Sequence, residues 1–449
     1  AWGLLAAGWC HEAKGRLKEA ISTWTDLIDS YPDSSAVASA VLARGDARQR
    51  TGDFKGGLAD AERALKPAEG GAKADPAARG EARLLAGLCL AGEKRHAEAA
   101  AAFRQLLQEQ PDFSGAERVL FELAVAESLA GRQAEAEAAF RGLVEKYPAG
   151  PRAAAAWFEI GEAKWTAKLW NEAADAYRAA IKAAAAGGGD AAAVLEQARH
   201  KLGWALAMKK DHAAAATAFA EQLAAHPAGP LAADGRAMLG ETLFRTGKYA
   251  EASAALAAAL ADPARLSSDD LRGMAAVRAS EAAAQREQWE ESLAAADRLV
   301  AAQPKSAYAA QARYAAAWAR QNLGQLDKAL EAYRELADAS RTEVAARARL
   351  MEGEVLFEQG KHRDAIKSFF KVAYGFGEKQ APPAYHPWQA QATFEAARCF
   401  EVLEKPDQAR KLYAELLERY PDCQQAAAAA KRLEALGPAP AAAAPAPAK

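Results

Sequence analysis

The chain lacks an excess of either charge: 57 basic and 59 acidic residues leave a net charge of −2 over 449 positions. That balance removes the long-range attraction that draws proteins to nucleic acid or to anionic membranes, and no nucleic-acid partner is expected. It also lacks any apolar run near the roughly 18 residues that a spanning helix needs, so no transmembrane segment is expected. Cysteine is scarce, at Cys10, Cys89, Cys399 and Cys423, with no C-x-x-C pair. These read as small buried residues, and the spacing does not decide whether Cys399 and Cys423 pair. H-E-x-x-H and the P-loop spacing are missing. Gly187-Gly188-Gly189 has no flanking strand on which a nucleotide-binding fold would stand. Without strands there is no sheet to carry a hydrolase nucleophile. The expectation is a protein that is not an enzyme, with no catalytic residue, cofactor or metal.

What the chain has is alanine, over a quarter of all residues, and a pattern that returns eleven times. One slot reads Ala20, Gly57, Ala99, Ala136, Ala173, Ala215, Ala252, Ser292, Ala329, Ala365 and Ala409, at spacings of 36 to 44 residues. Twelve residues before it stands another small residue, from Gly8 and Gly45 to Gly353 and Ala397. Four residues after it stands a bulky one in most copies: Trp24, Phe103, Phe140, Tyr177, Phe219, Leu256, Tyr333, Phe369 and Tyr413. Ala61 and Ala296 leave that position small. The i, i+4 spacing places slot and aromatic on one helix face. Pro32, Pro111, Pro148, Pro227, Pro304 and Pro421 follow the slot by twelve residues and stop the helix. Glycines at positions such as Gly15, Gly52 and Gly131 mark the turn between two helices. His96, His212 and His362 fill the turn position held elsewhere by Phe54, Trp170, Tyr249 and Trp289, which is a packing role. Repeats of this length form solenoids in which each unit packs on its neighbours. The fold expected is therefore all-α.

These slots resemble the tetratricopeptide repeat family over residues 1–423, with a period slightly longer than the common 34. The resemblance implies a right-handed α-solenoid of about eleven hairpins that binds a protein or peptide. Tyr31-Pro32, Tyr147-Pro148 and Tyr420-Pro421 resemble the bacterial envelope branch, such as the periplasmic repeat protein of the Tol–Pal system and the lipoprotein of outer-membrane assembly. That implies a periplasmic or envelope-associated scaffold rather than a cytoplasmic one, in a complex at the membrane. The bias toward Ala, Gly, Arg and Pro fits a high-GC bacterial genome. The first helix starts at Ala1 with no capping residue, and sequence upstream of it is expected.

Breaks in the repeat lie near 66–80, 183–190 and 373–388. Residues 424–436 read as a capping helix, and 437–449 as a Pro/Ala-rich disordered tail.

In this family the first helix of each hairpin lines the concave face. That carry-over gives a ladder containing Trp9, Glu162, Trp204, Glu241, Glu281, Trp318 and Glu354. A second register, four residues earlier, contains Phe121, Phe158, His200, Tyr314 and Phe394. Aromatics supply contact area and carboxylates supply charge complementarity, which suits a peptide bearing Lys or Arg beside apolar anchors. The competing reading is that the rings pack between repeats and the glutamates form a solvated face. The carboxylate clamp of some family members needs paired Asn and Lys/Arg residues; this chain has only Asn171 and Asn322, neither suitably placed. The 373–388 insertion, with Tyr374, Phe376, Tyr385 and Trp388, is the second candidate surface. It would dock a partner or make the chain a structural subunit of a large complex through its ends, convex face or loop.

Overall fold

A computed structural model describes residues 1–66, 75–186, 191–377 and 381–437. Among these, 23 α-helices follow one another, numbered α1–α23 in chain order, with no strand. They form eleven antiparallel hairpins and one final helix, and divide into two compact units. The first unit, Ala1–Leu231, holds six hairpins, from α1 (Trp2–Ala13) to α12 (His212–Ala225). The second begins at Ala232 and holds five, from α13 (Ala232–Arg245) to α22 (Pro406–Arg419). The final helix is α23 (Ala426–Ala435).

Each slot does the packing its chemistry suggests. Ala20, Ala99, Ala173, Ala215, Ala252, Ala329, Ala365 and Ala409 are fully buried. So are Trp24, Phe103, Tyr177, Phe219, Leu256, Tyr333, Phe369 and Tyr413. The bulky residue fills the space left by the small residue sixteen positions earlier, so helix–helix contact is closest where the side chain is smallest. A methyl group placed on Gly203 would lie 2.7 Å from the Phe219 ring, and Gly87, Gly161, Gly240 and Gly353 face Phe103, Tyr177, Leu256 and Phe369 in the same way. Where the bulky residue is Ala61, the gap opposite Gly45 is filled by Leu85 of the following hairpin. Second helices end two residues before the closing prolines: α2 (Leu17–Ser30) before Pro32, α22 before Pro421.

The turns are more uniform than the glycines suggest. All eleven inter-helix turns hold one residue at positive φ, but five of these residues are not glycine: Lys94, Lys168, Lys210, Glu287 and Glu404. The sequence signal covered only the glycine turns.

The connectors are shorter than expected. α5 starts at Pro76, so 76–80 are helical, and 67–74 lie outside the described residues. α10 (Trp170–Ala186) absorbs 183–186, and 187–190 lie outside them. α21 (His386–Val402) starts inside the third insertion, so Trp388 is a first-turn helix residue and not a loop residue; 378–380 lie outside. Beyond Gly437 the expected tail also lies outside. The four cysteines are free, and Cys10 is exposed.

Candidate partner-binding groove

The ladder positions do not form one uniform surface. In the first unit, Trp9 is exposed, while Phe121 and Phe158 are half-buried against Phe140 and Tyr177 at centroid separations of 5.6 and 5.7 Å. His200 is buried: its Nε2 accepts from Trp204 Nε1 at 2.9 Å, and its Nδ1 pairs with Gln222 Oε1 at 3.0 Å. In the second unit, Tyr314 and Phe394 are buried against Tyr333 and Tyr413. Much of the earlier register is thus core, because a first-helix residue four before the ladder points at its own hairpin's aromatic.

The acidic positions are largely neutralised from within. Glu162 accepts from the Tyr177 hydroxyl at 2.5 Å and from Lys201 Nζ at 2.9 Å. Glu241 pairs with Arg245 at 2.8 Å and Arg278 at 2.5 Å, and Arg278 also pairs with Glu281. In each unit the ladder is therefore less acidic than its sequence. Glu354 differs. Among the described residues no cation lies within ion-pair distance of it, and burial together with Glu395 and Glu358 pushes its carboxyl up to about 7. Arg398 counters this only in part, being bonded to Glu395 at 2.7 Å.

The insertion folds back onto the same unit. Phe376 stacks on Tyr385 at 5.4 Å. The Tyr385 hydroxyl donates to the Arg341 carbonyl at 3.1 Å, and Tyr374 donates to Glu415 at 2.7 Å. Trp388 Nε1 donates to Glu343 at 3.2 Å.

The ladder and the insertion, separate candidates in the sequence, meet in one cavity. It measures about 860 Å³ and is lined by Tyr314 and Trp318 of α17 (Ala309–Asn322), Arg347 and Glu354 of α19 (Glu343–Glu358), and His386 and Trp388 of α21. Tyr420 and Asp422, after α22, complete the wall. Arg347 lies over both the Tyr314 ring, at 4.4 Å, and the Trp388 ring, at 5.3 Å. The groove continues past Tyr314 and Trp318 as a second cavity of about 360 Å³, reached by Phe244 and Glu281. A concave, aromatic-lined space with a few polar groups is what a protein offers an extended segment. Arg347 was not singled out from the sequence, and Tyr420 only as half of a Tyr-Pro closure. Both lie outside the ladder registers; Arg347 is marked by its contacts with rings of two other hairpins, and Tyr420 by its place on the cavity wall.

Among the described residues no group of three or more His, Cys, Asp or Glu side chains is placed to hold a metal ion. Among them, too, no helix is long and apolar enough to cross a membrane.

Comparison with known families gives matches along the chain. A tetratricopeptide repeat model matches residues 42–112, 121–191, 237–307 and 314–386, and a second one matches 3–34 and 391–422. Among solved structures, a tetratricopeptide repeat protein from Parabacteroides merdae is 13% identical over 71% of this chain and 98% of its own, with a TM-score of 0.38. The C-terminal part of a repeat protein from Cytophaga hutchinsonii is 13% identical over 60% and 98%, with a TM-score of 0.45. Yeast Tom70 is 14% identical over 78% and 88%, with a TM-score of 0.34. A search of curated proteins returned no match.

Proposed function

Because the chain belongs to the tetratricopeptide repeat family, an architecture that presents stacked helical hairpins to other proteins, we propose that it is a non-enzymatic interaction scaffold that captures an extended segment of a partner protein. The capture site is the groove of the second unit. One observation carries this reading: Tyr314 and Trp318 of one hairpin and Trp388 of the second hairpin after it line a single cavity of about 860 Å³, with Glu354 of the hairpin between them at its wall. Aromatic anchors surrounded by a polar rim supply most of the binding energy at such sites.

The test is Trp318→Ala in the full chain. Partner retention, measured on immobilised protein with the partner identified from the native host, falls while far-UV helicity stays unchanged. Loss of helicity would mean that Trp318 is core, and would remove the groove from consideration.

The setting proposed is a bacterial envelope assembly, with the scaffold periplasmic or envelope-associated. The Tyr-Pro closures of three repeats support it. Fractionation of host cells tests it, and recovery wholly in the cytosol would overturn it.

A further inference from the structure

We propose that Glu354 is the recognition point for a basic side chain, lysine or arginine, on the segment the groove captures; this rests on reading the groove as a peptide site.

The argument begins with register. Glu162, Glu241 and Glu354 occupy the same ladder position in different repeats. For the first two, the chain supplies a cation from the following first helix, three residues before that helix's own ladder position. Lys201, three before Trp204, serves Glu162 at 2.9 Å, and Arg278, three before Glu281, serves Glu241 at 2.5 Å. The equivalent residue after Glu354, three before Arg398, is Glu395. An acid stands where the helices after Glu162 and Glu241 place a base; after Glu281 that position is Ala315, and Arg278 of its own helix serves Glu281 instead.

The other charged groups around the cavity do not make up the deficit. On α19 itself, Glu358 accepts from Gln321 at 3.0 Å, and Arg347 sits over the Tyr314 and Trp388 rings. On α21, Glu395 and Arg398 bond each other, and His386 Nε2 is 3.1 Å from the Ala381 carbonyl. From the last hairpin, Arg419 pairs with Glu415 at 2.7 Å, and Asp422 adds a further acid. A half-buried carboxylate with acidic neighbours and no counter-ion is destabilising on its own. It becomes favourable when a ligand brings the missing cation.

The walls suit the stem of that cation as well as its head. Trp318, Met351 and Leu350 line the cavity beside Glu354, and long basic side chains lay their methylenes on such surfaces. The rings already accept a guanidinium, since Arg347 lies over two of them. A partner segment with one basic residue between apolar ones meets both requirements.

The experiment is selection of a phage-displayed random dodecapeptide library on the immobilised full chain at about pH 8, where the carboxyl is ionised. The expected result is a family of peptides with Lys or Arg fixed at one position. Replacing that residue by glutamine in the best synthetic peptide weakens binding about tenfold or more on the wild type, and less than about twofold on Glu354→Gln. Enriched peptides without a fixed basic residue would overturn the assignment and leave the groove a peptide site. So would an undiminished lysine-to-glutamine difference on E354Q. No enrichment over a Trp318→Ala control would overturn the groove reading, and this inference with it.

Discussion

Gly203 faces the Phe219 ring so closely that a methyl group on the glycine would lie 2.7 Å from ring carbons. The two residues are sixteen apart and belong to one hairpin, so the contact sets how near its two helices come. Gly203→Ala is expected to cost about 1–3 kcal/mol through overpacking, because the flat ring has no free space to retreat into. In a repeat stack the loss is local. It appears as faster amide hydrogen exchange in α11 (Ala191–Met208) and α12, while exchange several hairpins away is unchanged.

Asp60 is buried and holds two arginines: Arg44 through bonds of 2.6 and 3.0 Å, and Arg48 at 2.7 Å. Arg44 is itself buried. Asp60→Ala leaves that guanidinium without a counter-ion, its remaining partner being the Thr25 hydroxyl at 3.2 Å, and a loss of about 3–5 kcal/mol is expected for the affected hairpin. Denaturant melts monitored by exchange within 36–65 check this. An unchanged profile would mean that water reaches Arg44.

Lys94 takes a φ of 62° in a turn where six sister hairpins use glycine. A left-handed residue with a Cβ pays a steric penalty that glycine avoids. Lys94→Gly is expected to stabilise its hairpin by about 0.5–1 kcal/mol, and Gly131→Ala to destabilise its own by a similar or larger amount. Paired thermal melts of the two variants give the signs directly.

Glu354 gives a pH signature. Its folded-state carboxyl is raised to about 7, above the ordinary value of 4.5. The native state therefore prefers the protonated acid. Stability from this group is greatest below about 4.5, falls as pH rises between there and 7, and stays reduced above. Glutamine has no proton to lose. Glu354→Gln should melt higher than wild type at pH 8 and no higher at pH 4, although it binds basic peptides less well. A residue that serves stability alone would show both effects in the same direction.

The packing slots were legible because they are local: a small residue, an aromatic sixteen on, and a proline eight beyond that are all set inside one hairpin. Glycine turns were legible for the same reason. Lys168, Lys210 and Glu287 were not, because neighbouring helices hold them left-handed against their own preference. Trp388 was placed in a loop because three prolines surround it. Yet Pro387 sits in the first turn of α21, where proline is tolerated. The acidic ladder was visible in sequence, but its neutralisation by Lys201 and Arg278 was not, since those bonds cross between repeats. Only with those pairs in place does Glu354 separate from the other glutamates.

The insertion also alters how the last two hairpins come apart. Tyr385 and Trp388 tie it back to Arg341 and Glu343, and Tyr374 ties it forward to Glu415. In an ordinary stack the outermost unit frays by itself, because only one face of it is covered. Here those tethers add to the coupling between neighbours, so α19 through α22 are expected to melt as one cooperative block, which amide hydrogen exchange along these helices would show as a single opening. The groove wall they form is lost or kept as a whole.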